Sequence, residues 1–174
     1  MKKLALILFL VSIITIGFSQ DKKKNHSKLP SIDVKTMDGS TLNTSDISND
    51  GKPVIITFWA TWCKPCIKEH DAINDVYEDW VDETGVKMYA ISIDNARSSK
   101  RVLPTVNGKG WEFDVLLDEN GDFKRAMNVN VPPHTFIVDG NGYIVWQHVG
   151  YLDGDEEEYI EVVEKIINGE EVGH

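Results

Sequence analysis

The stretch PVIITFWATWCKPCIKEH, residues 53–70, joins two kinds of secondary structure and carries both cysteines of the 174-residue chain. Its first part, residues 53–60, is a nearly continuous β-branched and aromatic run, which predicts a central strand buried on both faces. After Pro65 the apolar and acidic positions recur every three or four residues, which predicts a helix. Cys63 and Cys66 therefore lie at a strand-to-helix junction with C-x-x-C spacing.

The rest of the domain alternates between strands and helices. Residues 29–50 alternate apolar and polar positions around Asp38-Gly39, which predicts a short hairpin. Further predicted elements are strand 86–94, a helix from Ser98 or Ser99 to about Asn107 with a kink at Pro104, strand 114–117, helix 122–128, hairpin 134–139/143–150, and helix 153–168 with an inward stripe of Ile160, Val163 and Ile167. This order predicts an α/β fold: one mixed central β-sheet with helices on both faces and an N-terminal β-hairpin.

The start of the chain has the pattern of a signal peptide. Two lysines precede an apolar run over residues 4–18, and small residues flank a cut after Ser19. The run is shorter than the roughly 20 residues of a membrane-spanning helix, although an uncleaved anchor is the alternative. The predicted parts are a signal peptide (1–19), a flexible leader (20–28) and one domain (29–170). We therefore expect an exported, periplasmic protein without stable membrane insertion after cleavage.

The composition limits the partners. A formal net charge of −10 opposes binding to nucleic acid and to anionic membrane surfaces. A chain of this length forms one domain, which we expect to be a monomer, and it buries a core without needing disulfides. Because disulfides persist in exported compartments, the C-x-x-C pair requires a chemical explanation.

Three interpretations of the cysteine pair compete. A zinc site needs four ligands, and the chain has neither a second cysteine pair nor a matching histidine pair, so we expect no metal. A structural disulfide over so short a loop would remove little entropy from the unfolded chain. A redox couple explains more: the helix start favours a Cys63 thiolate, which attacks, and the more buried Cys66 then resolves the mixed disulfide.

Two motifs carry a family resemblance. The stretch FWATWCKPC resembles the active-site signature of the thioredoxin superfamily, in particular its exported TlpA/ResA-like branch, and VNVPPHTFIVDGNG, residues 129–142, resembles the superfamily's cis-proline region. The resemblance implies a thioredoxin-like fold with Pro133 as the cis-proline that faces the cysteines and binds the partner. It also implies a thiol-disulfide oxidoreductase without a cofactor, which reduces or exchanges disulfides of exported partner proteins and takes electrons from a membrane donor.

The chain departs from thioredoxin at a position that handles protons. Thioredoxin has a buried aspartate on the strand before the first cysteine, whereas this chain has Thr57, which cannot accept a proton at neutral pH. Glu69, three residues after Cys66 on the same helical face, is the candidate replacement, and the TlpA/ResA-like branch has a glutamate at this spacing. A solvated surface role for Glu69 is the alternative, and we expect His70 to be a bystander.

The predicted partner-binding residues are Trp62, Pro132, Pro133 and His134. Pro132 lacks the N–H that the residue before the cis-proline usually offers to a substrate, so pairing would use its carbonyl or a shifted register. His134 adds charge near the thiols or points to solvent. We expect Trp59 to pack under the site and Trp62 to lie exposed beside it.

The amino-acid sequence leaves two other functions open. One is a thiol peroxidase, although the sites of that class typically surround a lone attacking cysteine with Thr and Arg, and here the nearest arginine in sequence is Arg97. The other is a copper-binding chaperone that uses the thiolates with His134 or His70. The direction of electron flow is also open, because Pro65 resembles reducing members of the superfamily and Lys64 stabilises a thiolate, which acts in the opposite direction.

Overall fold

The computed structural model describes residues 26–172. The predicted signal peptide and the first part of the predicted leader lie outside these residues. Within the described range, none of the helices has the length and apolar character needed to cross a membrane.

One mixed sheet organises the domain. Its seven strands are β1 Asp33–Thr36, β2 Thr41–Asn43, β3 Val54–Trp59, β4 Lys87–Ser92, β5 Asp114–Leu117, β6 His134–Val138 and β7 Ile144–Val149. They lie in the order β2-β1-β5-β4-β3-β6-β7, with β3, β4 and β5 parallel and the other pairs antiparallel. The predicted mixed sheet and N-terminal hairpin are confirmed.

Strand β3 lies in the centre because both of its faces are apolar. Ile55 and Trp59 are fully buried in the core on one face of the sheet, while Ile56 and Phe58 are fully buried on the other. Burying a large apolar side chain stabilises a fold by about 1.5–3 kcal/mol, so β3 anchors the sheet. The chain leaves β3 at Trp59 and reaches the cysteines four residues later.

Helices cover both faces of the sheet. The helices are α1 Lys64–Thr84, α2 Val102–Lys109, α3 Asp122–Ala126 and α4 Asp155–Ile167, with short 3-10 turns at Thr44–Asp46 and Ser99–Arg101. Helices α1 and α4 contribute to the core that contains Trp59, whereas α3 contributes Phe123 to the core that contains Phe58. Gly85 ends α1 in the left-handed conformation, which costs glycine little.

One local prediction was wrong, and another was right only in part. Pro104 does not kink α2, because it lies in the first turn, where its missing N–H has no intrahelical partner. In the predicted α4 stripe, Val163 is buried and Ile160 packs partly buried against the core, but Ile167 is 48% exposed. Tyr159 and Val162 are the other buried residues of the helix. The helix is turned toward Tyr159, whose hydroxyl hydrogen-bonds inside the domain.

The last residues of the predicted leader belong to the packed domain. Lys28 pairs with Tyr143 in an antiparallel bridge, and the Ser27 carbonyl accepts from the Ile144 N–H at 2.8 Å. The His26 ring Nδ1 also lies 2.9 Å from the Ile144 carbonyl oxygen. These contacts extend the sheet at β7, so the ordered structure includes residues 26–28.

Candidate active site

The cysteines lie at the N-terminus of α1 and form a disulfide bond. Cys63 is the N-cap residue, and the Cys66 backbone N–H donates to the Cys63 Sγ at 3.3 Å. Cys63 is 5% exposed, whereas Cys66 is fully buried. Cys63 is therefore the more accessible of the two sulfurs.

The same helix start stabilises a thiolate on Cys63. Helix α1 has 21 residues, and its aligned peptide dipoles place partial positive charge beside the Cys63 sulfur. Pro65 lies in the first turn, where the absent N–H leaves no intrahelical bond unmade. The sequence folds this way locally because β3 ends directly before a capping residue and a proline.

Glu69 lies one turn beyond Cys66, fully buried against the sheet. Three hydroxyl groups bind its carboxylate: Thr135 and Tyr159 donate to Oε1 at 2.8 and 2.9 Å, and Thr57 donates to Oε2 at 3.1 Å. The surface alternative for Glu69 is wrong. The three donors satisfy both oxygens of the ionised carboxylate, so the core tolerates the ionised form of Glu69. The ionised form is the one that can accept a proton.

Burial and the three donors act in opposite directions on this carboxyl group. Burial raises the pKa of Glu69 to about 7, and the hydrogen bonds from Thr135, Tyr159 and Thr57 limit the rise. At neutral pH both the protonated and the ionised forms are populated. That is the condition in which a carboxyl group gives and takes protons most effectively.

The sheet register explains the position of Thr57. Thr57 and Thr135 are directly paired across β3 and β6, so both hydroxyls face the same side as α1. The carboxyl group on this side of the sheet is thus contributed by the helix, and Thr57 holds it. Neither Thr135 nor Tyr159 was predicted, because their positions on β6 and α4 lie 66 and 90 residues from Glu69.

Asp94 is another residue that sequence reasoning missed. It is 1% exposed just after β4, and its carboxylate accepts from the Thr61 N–H at 2.7 Å and the Thr61 hydroxyl at 2.8 Å. The Ser92 hydroxyl also donates to it at 3.1 Å. Hydrogen bonds to a charged group contribute roughly 1.5–3 kcal/mol, so Asp94 fastens the loop between β3 and the cysteines. An acidic residue directly after a buried strand was the available signal.

The proline loop lies at the same end of the sheet as the cysteines. The Pro132–Pro133 peptide bond is cis, as the resemblance implied. His134, the first residue of β6, pairs with Phe58 near the end of β3, so Pro133 lies beside the point where the chain leaves β3. Pro133 is buried and Pro132 is partly exposed.

The two tryptophans differ in exposure as predicted: Trp59 is fully buried, and Trp62 is 61% exposed. His134 behaves otherwise. It directly precedes Thr135 on β6, so its side chain points to the opposite face of the sheet, where it stacks on Phe136 with ring centroids 4.2 Å apart. Its pKa is lowered because burial disfavours the imidazolium, so neutral His134 lies on the sheet face opposite Glu69, neither in solvent nor as a charge beside Cys63.

A C-x-x-C disulfide at a helix start, beside a buried carboxyl group, is an arrangement with which thioredoxin-like enzymes break and form disulfides, and this chain is a thiol-disulfide oxidoreductase of that class. Comparison with known proteins then gives its family. The profile of the AhpC/TSA family matches residues 25–147, and the chain belongs to this family.

Individual relatives agree with this assignment. Thiol-disulfide oxidoreductase ResA of Bacillus thuringiensis is 32% identical over 136 residues, which cover 77% of this chain and 76% of the relative. Thiol:disulfide interchange protein DsbE of Haemophilus influenzae is 29% identical over 167 residues, which cover 86% of this chain and 87% of that protein. An uncharacterized thioredoxin-like protein from Porphyromonas gingivalis has a solved structure with 51% identity and a TM-score of 0.73, covering 84% of this chain and 95% of that chain.

Proposed function

We propose that this enzyme is exported and that it reduces or exchanges disulfides in other exported proteins, with a membrane protein as its electron donor. The observation that carries the proposal is the buried Glu69 one helical turn beyond Cys66, held by three hydroxyl groups. A structural disulfide needs no proton acceptor, whereas a turning-over couple does. The signal-peptide pattern of residues 1–19 supports export.

The proposed cycle begins with the reduced enzyme. The Cys63 thiolate attacks one sulfur of a partner disulfide, and the partner's other sulfur leaves with the electron pair and takes up a proton. Cys66 gives its proton to the Glu69 carboxylate, and the resulting thiolate attacks the Cys63 sulfur. The mixed disulfide breaks, the partner leaves as a dithiol once it takes up the second proton, and the enzyme is left with the Cys63–Cys66 disulfide. Two electrons from the donor break the disulfide, and Glu69 returns its proton to Cys66, which restores the Cys63 thiolate and the Cys66 thiol.

The surface around the cysteines suits an extended, partly apolar segment of a partner protein. Trp62, Val131 and Leu152 are 61%, 62% and 75% exposed at this end of the sheet, and we call them the apolar rim. Trp62 directly precedes Cys63 and Val131 lies in the proline loop, so we infer that these exposed apolar side chains contribute to the partner-binding surface. Pro132 has no N–H, so its carbonyl is the backbone group that it offers to the partner.

Trapping in the exported compartment tests the partner class. A Cys66→Ser enzyme retains the attacking cysteine and loses the resolving one, so we expect it to accumulate mixed disulfides with exported proteins, which reducing agent releases. Mass spectrometry should locate the link at Cys63. The matched Cys63→Ser enzyme should trap far less. Equal trapping by both variants, or adducts confined to cytosolic proteins, would contradict the proposal.

The reduction potential tests the direction of electron flow. Pro65 between the cysteines resembles reducing members of the superfamily, so we expect a potential close to the value of about −270 mV found for thioredoxin. Equilibration with glutathione or dithiothreitol buffers, read by alkylation of the free thiols, gives the value. A potential of about −120 mV, the value of a strong oxidant, would reverse the proposed direction of electron flow.

A further inference from the structure

His70 is buried without a hydrogen-bonding partner. Its side chain is fully inaccessible to solvent, and neither ring nitrogen is hydrogen-bonded to any residue in the range 26–172. Trp59, Trp111 and Phe113 surround it in T-shaped contacts, with ring centroids 5.2, 4.7 and 5.3 Å away. Leaving a buried polar group unpaired costs about 1–3 kcal/mol, so this histidine requires an explanation that packing does not give.

At neutral pH the His70 ring is uncharged. Burial lowers the pKa of His70 to about 3, because the apolar surroundings disfavour the imidazolium. Its Nε2 lies 4.0 Å from Glu69 Oε2, beyond hydrogen-bonding distance, and a neutral ring forms no ion pair there. A neutral imidazole carries one lone-pair nitrogen, which is an acceptor.

A protonated Glu69 needs such an acceptor. Oε1 already accepts from two hydroxyls, Thr135 and Tyr159, which suits the carbonyl oxygen of a carboxylic acid. Oε2 accepts one longer bond, 3.1 Å from the Thr57 hydroxyl, and is therefore the oxygen that takes the proton. The Thr57 hydroxyl can accept from the new O–H only by giving up its own donation to Oε2, whereas the His70 ring nitrogens have no other hydrogen-bonding partner within residues 26–172. His70 is therefore the better acceptor.

We propose that His70 supplies it: when Glu69 is protonated, its Oε2–H donates to His70 Nε2. The two atoms have to approach by about 1 Å to reach an ordinary hydrogen-bond distance, which a small change in the Glu69 side chain provides. His70 is thus a positioning residue that stabilises the protonated acid. This role rests on the proposed function of Glu69 as the proton acceptor of Cys66.

The titratable groups around the pair come from two helices and one strand. Cys66 precedes Glu69 by one turn on α1. From α4, Tyr159 hydrogen-bonds to Glu69, and the charge of Asp155 raises the pKa of Glu69. On β7, His148 lies 3.1 Å from Asp155 and so contacts the pair only through that residue. Thr57 and Thr135 contribute hydroxyl groups that do not titrate in this range, so His70 is the uncharged imidazole beside Oε2.

Infrared spectroscopy of the oxidised protein tests the proposal, because the disulfide does not titrate and the difference from the spectrum of Glu69→Gln isolates Glu69 from the other carboxyl groups of the chain. We expect His70→Phe to raise the C=O stretching frequency of protonated Glu69 and to lower its titration midpoint by up to about one pH unit, tenfold in proton affinity. Thr57→Val removes a donor to the ionised form instead, so it should raise the midpoint. An unchanged or higher midpoint in His70→Phe, or a lower one in Thr57→Val, would overturn the proposal. Disulfide exchange does not enter this measurement, so its outcome is separate from that of the proposed catalytic cycle.

The unmodified protein gives a second measurement if the His70 variant does not fold. The ¹⁵N signal of the unprotonated His70 nitrogen should move upfield as the pH falls, with the midpoint of Glu69. A nitrogen signal that stays constant through the Glu69 titration would equally contradict the proposed hydrogen bond.

Discussion

Replacing Cys63 with serine is expected to lower catalysed disulfide reduction on the order of a thousandfold or more, since the hydroxyl that replaces the thiolate is a far weaker nucleophile at neutral pH. The chain has one other cysteine, Cys66, and that residue is fully buried. We therefore expect no other thiol to take over the attack from Cys63, the residue that caps the helix. The rate of insulin reduction, with dithiothreitol regenerating the enzyme, measures the effect.

Cys66→Ser provides the matched comparison. Its Cys63 should react once with a disulfide substrate and then stop, because the resolving thiolate is missing. A burst of one adduct per enzyme without turnover is the expected result. Full turnover in either variant would exclude the proposed cycle, and consumption of peroxide without any protein substrate would favour the peroxidase alternative.

Replacing Glu69 with glutamine is expected to slow resolution of the mixed disulfide by about a hundredfold at pH 7, at the lower end of the range for a lost acid–base group. Glutamine keeps the shape, and its carbonyl oxygen accepts from Thr135 and Tyr159 while its amide N–H donates to the Thr57 hydroxyl, but it takes no proton from Cys66. In the wild-type enzyme the rate should rise with pH through about 7, because burial raises the pKa of Glu69 to that value and the ionised form is the base. Stopped-flow measurement of tryptophan fluorescence follows this step.

The variant should lose that pH inflection. Glu78→Gln, on the exposed face of the same helix, is the control and should retain the wild-type profile. An unchanged profile in Glu69→Gln would remove Glu69 from the mechanism.

The same carboxyl group affects stability with a definite sign. The pKa of Glu69 is raised from 4.5 to about 7 in the folded protein, so the folded state binds the proton more tightly than the unfolded state. Its contribution to the free energy of unfolding is complete below pH 4.5 and is lost as the pH rises through about 7. Relative to Glu69→Gln, the wild-type protein should lose about 3 kcal/mol across that interval. Urea unfolding of both proteins at several pH values measures the difference.

Much of this site was predictable because it is local. The change from a continuous β-branched run to a three- and four-residue period places Cys63 at a strand-to-helix junction, and an i, i+3 relation places Glu69 on the same face as Cys66. The α4 stripe was right for Ile160 and Val163 and wrong for Ile167, because apolar residues alone were counted and Tyr159, which is buried with its hydroxyl on Glu69, was left out. His134 lies opposite Thr135 by simple strand alternation, which the sequence already contained.

Residue chemistry and short-range periodicity were enough to define the redox pair, the order of strands and helices and the acid beside Cys66. The environment of that acid came from the tertiary fold. Thr57, Thr135 and Tyr159 reach Glu69 from three different elements, and Asp94 reaches the cysteine loop from a fourth. Whether Glu69 holds a proton at neutral pH depends on burial and on these distant donors together, and no local pattern contains the packing that brings them into contact.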